Sequence, residues 1–263
     1  LAVLVYLPFR VILAIGLIIT FGHDVLSRIQ LQPDDKFFVL WSLLHQSGAG
    51  PLTPGTNALF LYPLLPWLGI MLIGYGIGEW YTNNVSSGQR QKFLLWIGIS
   101  AILLFLILRF SNVYGDTSPW SVQKNPMFTM MSFLNCSKYP PSLLYTLMTL
   151  APVLIILSWM ERVSTKRFSP IIVFGRVPLF YYVLHFYLIH LTALIAYMVK
   201  MKVPFSEIDF HFTNSFGGLT AGWGFGIFVV YLVWMAIVIA LYPLCKKYDA
   251  YKTRHRYRWL SYF

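Results

Sequence analysis

The chain has 263 residues, 57% of them hydrophobic and only 11% charged, with a net charge of +11. Soluble domains average about 25% charged residues, so this composition and a mean hydropathy of +0.64 exclude an ordinary soluble fold and point to a multi-pass membrane protein. The positive balance fits the Lys and Arg of cytoplasmic loops rather than a nucleic-acid partner, and the cysteines, Cys136 and Cys245, offer neither a disulfide framework nor a metal spacing.

Residues 1–7 are apolar, and Pro8 stops them before they could span. They are expected to be the tail of a severed span whose preceding helices are missing. A single span over residues 1–22 would instead bury Arg10, at roughly 2.5–3.5 kcal/mol. Residues 9–26 predict the first complete span, ending at Gly22-His23-Asp24. Residues 37–44 are apolar but short, an interfacial or re-entrant helix. Residues 47–57, rich in Gly and Pro, predict a loop. Residues 58–78 predict the second span, with Pro63 and Pro66 in its first half and Gly74, Gly76 and Gly78 as a small face for helix contact. Residues 93–110 are the third span, 111–127 a loop and 128–134 a second short apolar piece. The hinge Lys138-Tyr139-Pro140-Pro141 opens onto the fourth span, 142–160, where Pro152 predicts a kink. Residues 178–199 and 222–244 predict the fifth and sixth spans, the latter entered through Gly218, Gly222 and Gly226. A basic, aromatic tail, 245–263, follows. The expected fold class is therefore all-α: a polytopic transmembrane helix bundle of six complete spans, a remnant helix and two short interfacial or re-entrant helices, in one domain over residues 1–263.

With the C-terminal tail placed in the cytoplasm, the inner segments hold most of the 20 Lys and Arg, including Arg90, Lys92, Arg162, Lys166, Arg167 and Arg176. The outer mouth then collects His23, Asp24, Asp34, Asp35, His45, Asn112, Tyr114, Asp116, Trp120, Asn135, Lys138 and Tyr139. Aromatics beside carboxylates and amides suit a carbohydrate, whose apolar face stacks while its hydroxyls hydrogen-bond; an interfacial aromatic belt with solvated charges has the same composition. In the fifth span His190 falls ~18 Å from the start, near mid-membrane, as a proton relay, a substrate contact or a helix–helix hydrogen bond. His185 and His190 lie about 140° apart around a helix, too far round to share a metal. At the inner mouth, Arg176 beside a helix start is either a phosphate site or a positive anchor.

The segments Tyr62-Pro63-Leu64-Leu65-Pro66-Trp67, Lys138-Tyr139-Pro140-Pro141-Ser142-Leu143-Leu144 and Phe174-Gly175-Arg176-Val177-Pro178-Leu179-Phe180-Tyr181-Tyr182 resemble, as a set and in order, those of the bacterial heparan-α-glucosaminide N-acetyltransferase-like membrane proteins. The C-terminal Tyr242-Pro243-Leu244-Cys245 also fits that family. The resemblance implies a membrane-bound acyltransferase that moves an acetyl group from cytoplasmic acetyl-CoA to a glucosamine-type amino sugar on the outer side of a bacterial plasma membrane. It also implies that the catalytic histidine lies in an early segment with an Asp-His pair near an Arg-Gly-Leu motif. This chain has His23-Asp24, the reverse order, so that role is not carried over to it. The implied supporting residues are His190, His185 and Tyr181 along the buried path. Arg176, Arg167 and Lys166 would hold CoA phosphates, and Lys138, Tyr139, Asn112, Asp116, Trp120 and His45 would face the sugar. No metal is implied; the expected partners are the glycan, the bilayer and a second copy in a homo-oligomer. Two other readings stay open: a transporter or exporter of a polar or glycan substrate, and a catalytically incomplete fragment.

Overall fold

The computed structural model of the protein describes residues 4–53, 55–82, 84–163, 169–208 and 223–255, with Tyr257 and Leu260. The chain falls into two units, Leu1–Val163 and Ser164–Phe263.

In the first unit, a 3₁₀ turn at Leu4–Tyr6 precedes α1 (Phe9–Gly22), which continues as a 3₁₀ turn over His23–Arg28. Pro8 stands at the N-cap, and Arg10, in the first turn, is exposed. Antiparallel to α1 runs α3 (Leu64–Gly78). The two backbones meet through small residues. A Cβ added at Gly16 would lie 2.9 Å from the Ile73 backbone nitrogen, one at Gly69 2.7 Å from Thr20 Oγ1, and one at Gly76 3.0 Å from Leu13. Apolar burial contributes little between helices that are already in lipid, and close van der Waals approach of this kind is what joins them.

The second helix pair is α4 (Ser87–Ser111) and α6 (Leu143–Met160), again antiparallel. Ser86 and Gln89 close the start of α4 with a reciprocal capping box. Near that end Arg90 forms a 2.6 Å salt bridge with Glu161, just past α6. At the other end Phe105 packs with Leu143, Leu144 and Leu147. Shorter elements gather there: α2 (Phe38–Leu44), the hairpin β1 (Gly48–Thr53) and β2 (Thr56–Phe60), and α5 (Pro126–Leu134). The second unit contains α7 (Ser169–Arg176), α8 (Pro178–Met201) and α9 (Ile227–Arg254), with a core at Val173, Val177 and Cys245.

Among the described residues, five helices are long and apolar enough to cross a membrane: Phe9–Arg28, Ser87–Ser111, Leu143–Met160, Pro178–Met201 and Ile227–Arg254. They give the chain multi-pass membrane character. The segment expected as a further span, 58–78, is divided. Ala58, Leu59 and Phe60 pair with Gly50, Ala49 and Gly48 in the hairpin, and helix begins only after Pro63. The residue before a proline is disfavoured in α geometry, so Tyr62 cannot carry the helix backward. The 15 residues of α3 rise only ~22 Å. The Gly- and Pro-rich stretch expected as a loop is that hairpin. Gly55 turns it at φ 81°, and Gly50 leaves room for the Phe38 ring, into which a Cβ would run. Pro152 sits inside one continuous α6. The basic tail is helical to Arg254, with Cys245 fully buried. Gly226 is the N-cap of α9, while Gly218 and Gly222 lie outside the described residues.

The α1–α3 seam is testable. Gly16→Ala is expected to destabilise the protein by about 1–3 kcal/mol through overpacking. Gly74→Ala, where nothing lies within 4 Å, should be neutral or gain up to about 1 kcal/mol from helix propensity. Thermal unfolding in detergent distinguishes the two.

Candidate functional site

The end of α1, the start of α3, the end of α4 and the start of α6 share one end of the first unit. The first backbone N–H groups of a helix have no partner within it, and at α6 they are met from three places. Asp24 Oδ2 accepts from the Leu143 N–H at 2.9 Å, the Gly115 carbonyl from the Leu144 N–H at 2.9 Å, and Ser142 Oγ from the Tyr145 N–H at 3.0 Å. The Asp116 carboxylate gathers the approach to the helix. It accepts from the Ser118 N–H at 2.7 Å, the Ser137 N–H at 2.7 Å, Ser137 Oγ at 2.9 Å and Ser142 Oγ at 2.7 Å. Arg109, 1% exposed, donates to the carbonyls of Ser118, Phe133, Ser132 and Asn135 at 2.8–2.9 Å. Tyr114 Oη donates to the Phe21 carbonyl at 2.5 Å.

From the other side, Gln46 exchanges two hydrogen bonds with the backbone of Leu31, and Trp41 Nε1 donates to the Ile29 carbonyl. These set His45 against His23. His45 Nε2 lies 2.9 Å from the His23 carbonyl oxygen and 3.3 Å from His23 Nδ1, and His23 Nδ1 lies 3.7 Å from Asp24 Oδ1. A carbonyl only accepts, so His45 Nε2 carries a proton and the neutral ring keeps its lone pair on Nδ1. Both histidines are buried. Burial pushes His45 below its ordinary 6.5, and the His23 ring adds to the effect.

These groups border a cavity of about 190 Å³, lined by Asp24, Ser27, Gln30, His45, Gln46, Ser47, Thr117, Ser137, Tyr139, Pro140 and Ser142. Among these residues there is no Lys or Arg. Ser47 Oγ donates to the Tyr139 carbonyl, closing one wall. At the mouth Tyr139 meets Tyr62 edge-on at 5.5 Å, and hydrogen bonds from Tyr62 and Lys138 hold its phenol below the usual range. A larger cavity in the second unit, about 620 Å³, is lined almost entirely by apolar side chains such as Ile189, Ala193, Phe225 and Trp234.

Of the residues expected to face a sugar, His45 and Tyr139 line the polar cavity, and Asp116 stands behind it, bonded to Ser137 and Ser142 in its wall. The Lys138 ammonium lies 5.0 Å from the Tyr139 ring centroid. Asn112 and Trp120 hold each other by two hydrogen bonds, at 2.9 and 3.1 Å, and are absent from the cavity wall. Tyr181, His185 and His190 stand on α8 in the second unit. Tyr181 stacks on His185 at 4.9 Å, and His190 is exposed with Nδ1 2.7 Å from its own helix's Phe186 carbonyl. Arg176 reaches Asp249 at 3.5 Å. Lys166 and Arg167 lie outside the described residues. Sequence reasoning gave no specific role to Asp24, His23, Gln46 or Ser137. The signal available for the first two was a His-Asp pair at the end of an apolar run, whose partner His45 has no local spacing to mark it.

Residues 1–110 match the family model described as heparan-alpha-glucosaminide N-acetyltransferase, catalytic. No curated protein and no solved structure is matched by this chain. The matched region includes α1, α2, the hairpin, α3 and all but the last residue of α4, and with them His23, Asp24 and His45. The segment with Asp116, Ser137 and Tyr139 lies beyond it.

Two predictions follow from the geometry. Asp116→Ala strands its four donors and should cost more than about 2 kcal/mol in unfolding experiments. His45 binds fewer protons folded than unfolded at pH values below its ordinary 6.5. Its contribution to stability is therefore complete above about pH 6.5 and is lost as the pH falls below that. His45→Gln should flatten the acid side of the plot of thermal midpoint against pH.

Proposed function

With residues 1–110 heparan-alpha-glucosaminide N-acetyltransferase-like as the premise, we propose that this membrane protein is an acetyltransferase whose acceptor is a glucosamine-type amino sugar, bound in the polar cavity of the first unit. The donor is acetyl-CoA. The observation that carries the reading is the cavity itself. Ser27, Thr117 and Ser137, with Gln30, Gln46, Asp24 and Tyr139, line a space of about 190 Å³. Hydroxyls and amides pair with sugar hydroxyls, an aromatic ring covers an apolar sugar face, and a carboxylate attracts the amine in its ammonium form. The absence of Lys and Arg from the lining residues favours a cationic over a sulfated or carboxylated acceptor.

The reaction is acyl transfer. The neutral amine's lone pair attacks the thioester carbonyl, a C–N bond forms and the C–S bond breaks. The amine proton passes through a base to the departing thiolate, and donors near the developing oxyanion lower the barrier. The Lys and Arg bias of the sequence supports a cytoplasmic C-terminal tail and a cavity that opens on the outer face. Arg176, Lys166 and Arg167 are the residues proposed to contact the CoA phosphates, on their positive charge.

The test is transfer of labelled acetyl from acetyl-CoA by the purified chain in lipid nanodiscs, to a glucosaminide with a free amine and to its N-acetylated twin. Label on the free amine alone is the expected outcome; no transfer to either overturns the reading. Ser27→Ala and Thr117→Ala should each raise the acceptor KM by about tenfold, with a smaller change in kcat.

A further inference from the structure

We propose that His45 is the base that takes the proton from the attacking amine, on Nδ1, and that His23 and Asp24 are positioning residues that hold the resulting charge. This rests on the acetyl-transfer reading above, and it places the base within this chain rather than in an earlier segment.

The argument starts from the tautomer. The His23 carbonyl, 2.9 Å from His45 Nε2, fixes the proton there and leaves Nδ1 as the basic nitrogen. The Trp41 ring lies over the imidazole at 5.4 Å, and His45 is 1% exposed, so packing holds the ring in place. Nδ1 has no hydrogen-bond partner among the described residues, while His45 borders the cavity. Ser27 Oγ is a buried polar atom without a hydrogen-bond partner, on a residue lining the same cavity. Two unclaimed polar groups on one small cavity indicate a ligand that uses them.

The arrangement also accommodates the charge. Once Nδ1 is protonated, the imidazolium still donates from Nε2 to the His23 carbonyl, with His23 Nδ1 at 3.3 Å and Asp24 Oδ1 3.7 Å beyond it. The titratable groups facing His45 are His23 and Asp24 from the 3₁₀ turn after α1, with Asp116 behind Asp24 and the Tyr139 phenol at the cavity mouth. Burial keeps His45 neutral before reaction, the form a base requires. As the C–N bond forms, the N–H electron pair stays on nitrogen and the proton moves to Nδ1. As the C–S bond breaks, the thiolate takes that proton, giving the free thiol and restoring neutral His45.

The experiment compares wild type, His45→Gln and Asp24→Asn in nanodiscs, by kcat, KM and pH profile with acetyl-CoA and a glucosaminide. Imidazole ¹⁵N spectra of the wild type are recorded with and without the sugar. His45→Gln is expected to lower kcat about 10²–10⁴-fold, with KM little changed, and to abolish the acidic limb of the profile. Asp24→Asn removes the charge that favours the imidazolium and should move that limb to lower pH, which a purely structural role would not do. The spectra should show His45 protonated on Nε2 and bare on Nδ1, with the Nδ1 signal shifting when the sugar is added. A wild type that acetylates while His45→Gln keeps its kcat overturns the base. So does a His45 protonated on Nδ1, whatever the activity. A wild type with the expected tautomer and no acetyl transfer overturns the acetyl-transfer reading, and the base with it.

Discussion

The start of α6 is the joint on which the first unit depends. A helix that begins near lipid exposes N–H groups that water cannot reach freely, and each costs several kcal/mol if left unpaired. Here the Leu143 N–H is met by Asp24 at the end of α1, the Leu144 N–H by Gly115 after α4, and the Tyr145 N–H by the helix's own cap, Ser142. The negative groups also sit at the positive end of the helix dipole. Satisfying one helix start thus draws together segments more than a hundred residues apart, and the polar cavity is the space those segments leave between them.

Rigid supports lie on both sides of that joint. Between α1 and α3, Gly16, Gly69 and Gly76 bring the backbones into contact and hold the end of α1 that carries His23 and Asp24. Above α4, a guanidinium with four carbonyl partners secures the loop and the end of α5. Arg109 is a cation satisfied wholly by backbone, so it leaves the Asp116 carboxylate to the serines around the hinge. Each charged group in the wall has one structural task, and the residues left facing the cavity are mostly neutral, with Asp24 as the exception.

The walls of the polar cavity come from two parts of the chain. The matched region contributes the histidine pair and Asp24, and the segment beyond it contributes Ser137, Tyr139 and the Asp116 scaffold. The hinge before α6 faces both the Asp116 scaffold and the cavity. Its serines bond to Asp116 while Tyr139 turns to the mouth, where Tyr62 meets its ring edge-on.

Periodicity and composition alone determined the membrane-spanning helices that carry this unit, because a run of apolar residues long enough to cross lipid has no other way to satisfy its backbone. The short helices at 37–44 and 128–134, and the Pro-framed start of α8, were legible for the same local reasons. Tertiary structure alone decided that the Gly- and Pro-rich loop is a hairpin under Phe38 and that the segment at 58–78 breaks at Pro63. It also decided that Asn112 and Trp120 bind each other rather than line the cavity. The pairing of His23 with His45 has no local signature, since it depends on Gln46 and Trp41 folding back onto residues 29–31. Local rules report what a residue prefers by itself; which buried donor meets which distant acceptor is settled only when the helix ends compete for partners in a place with little water.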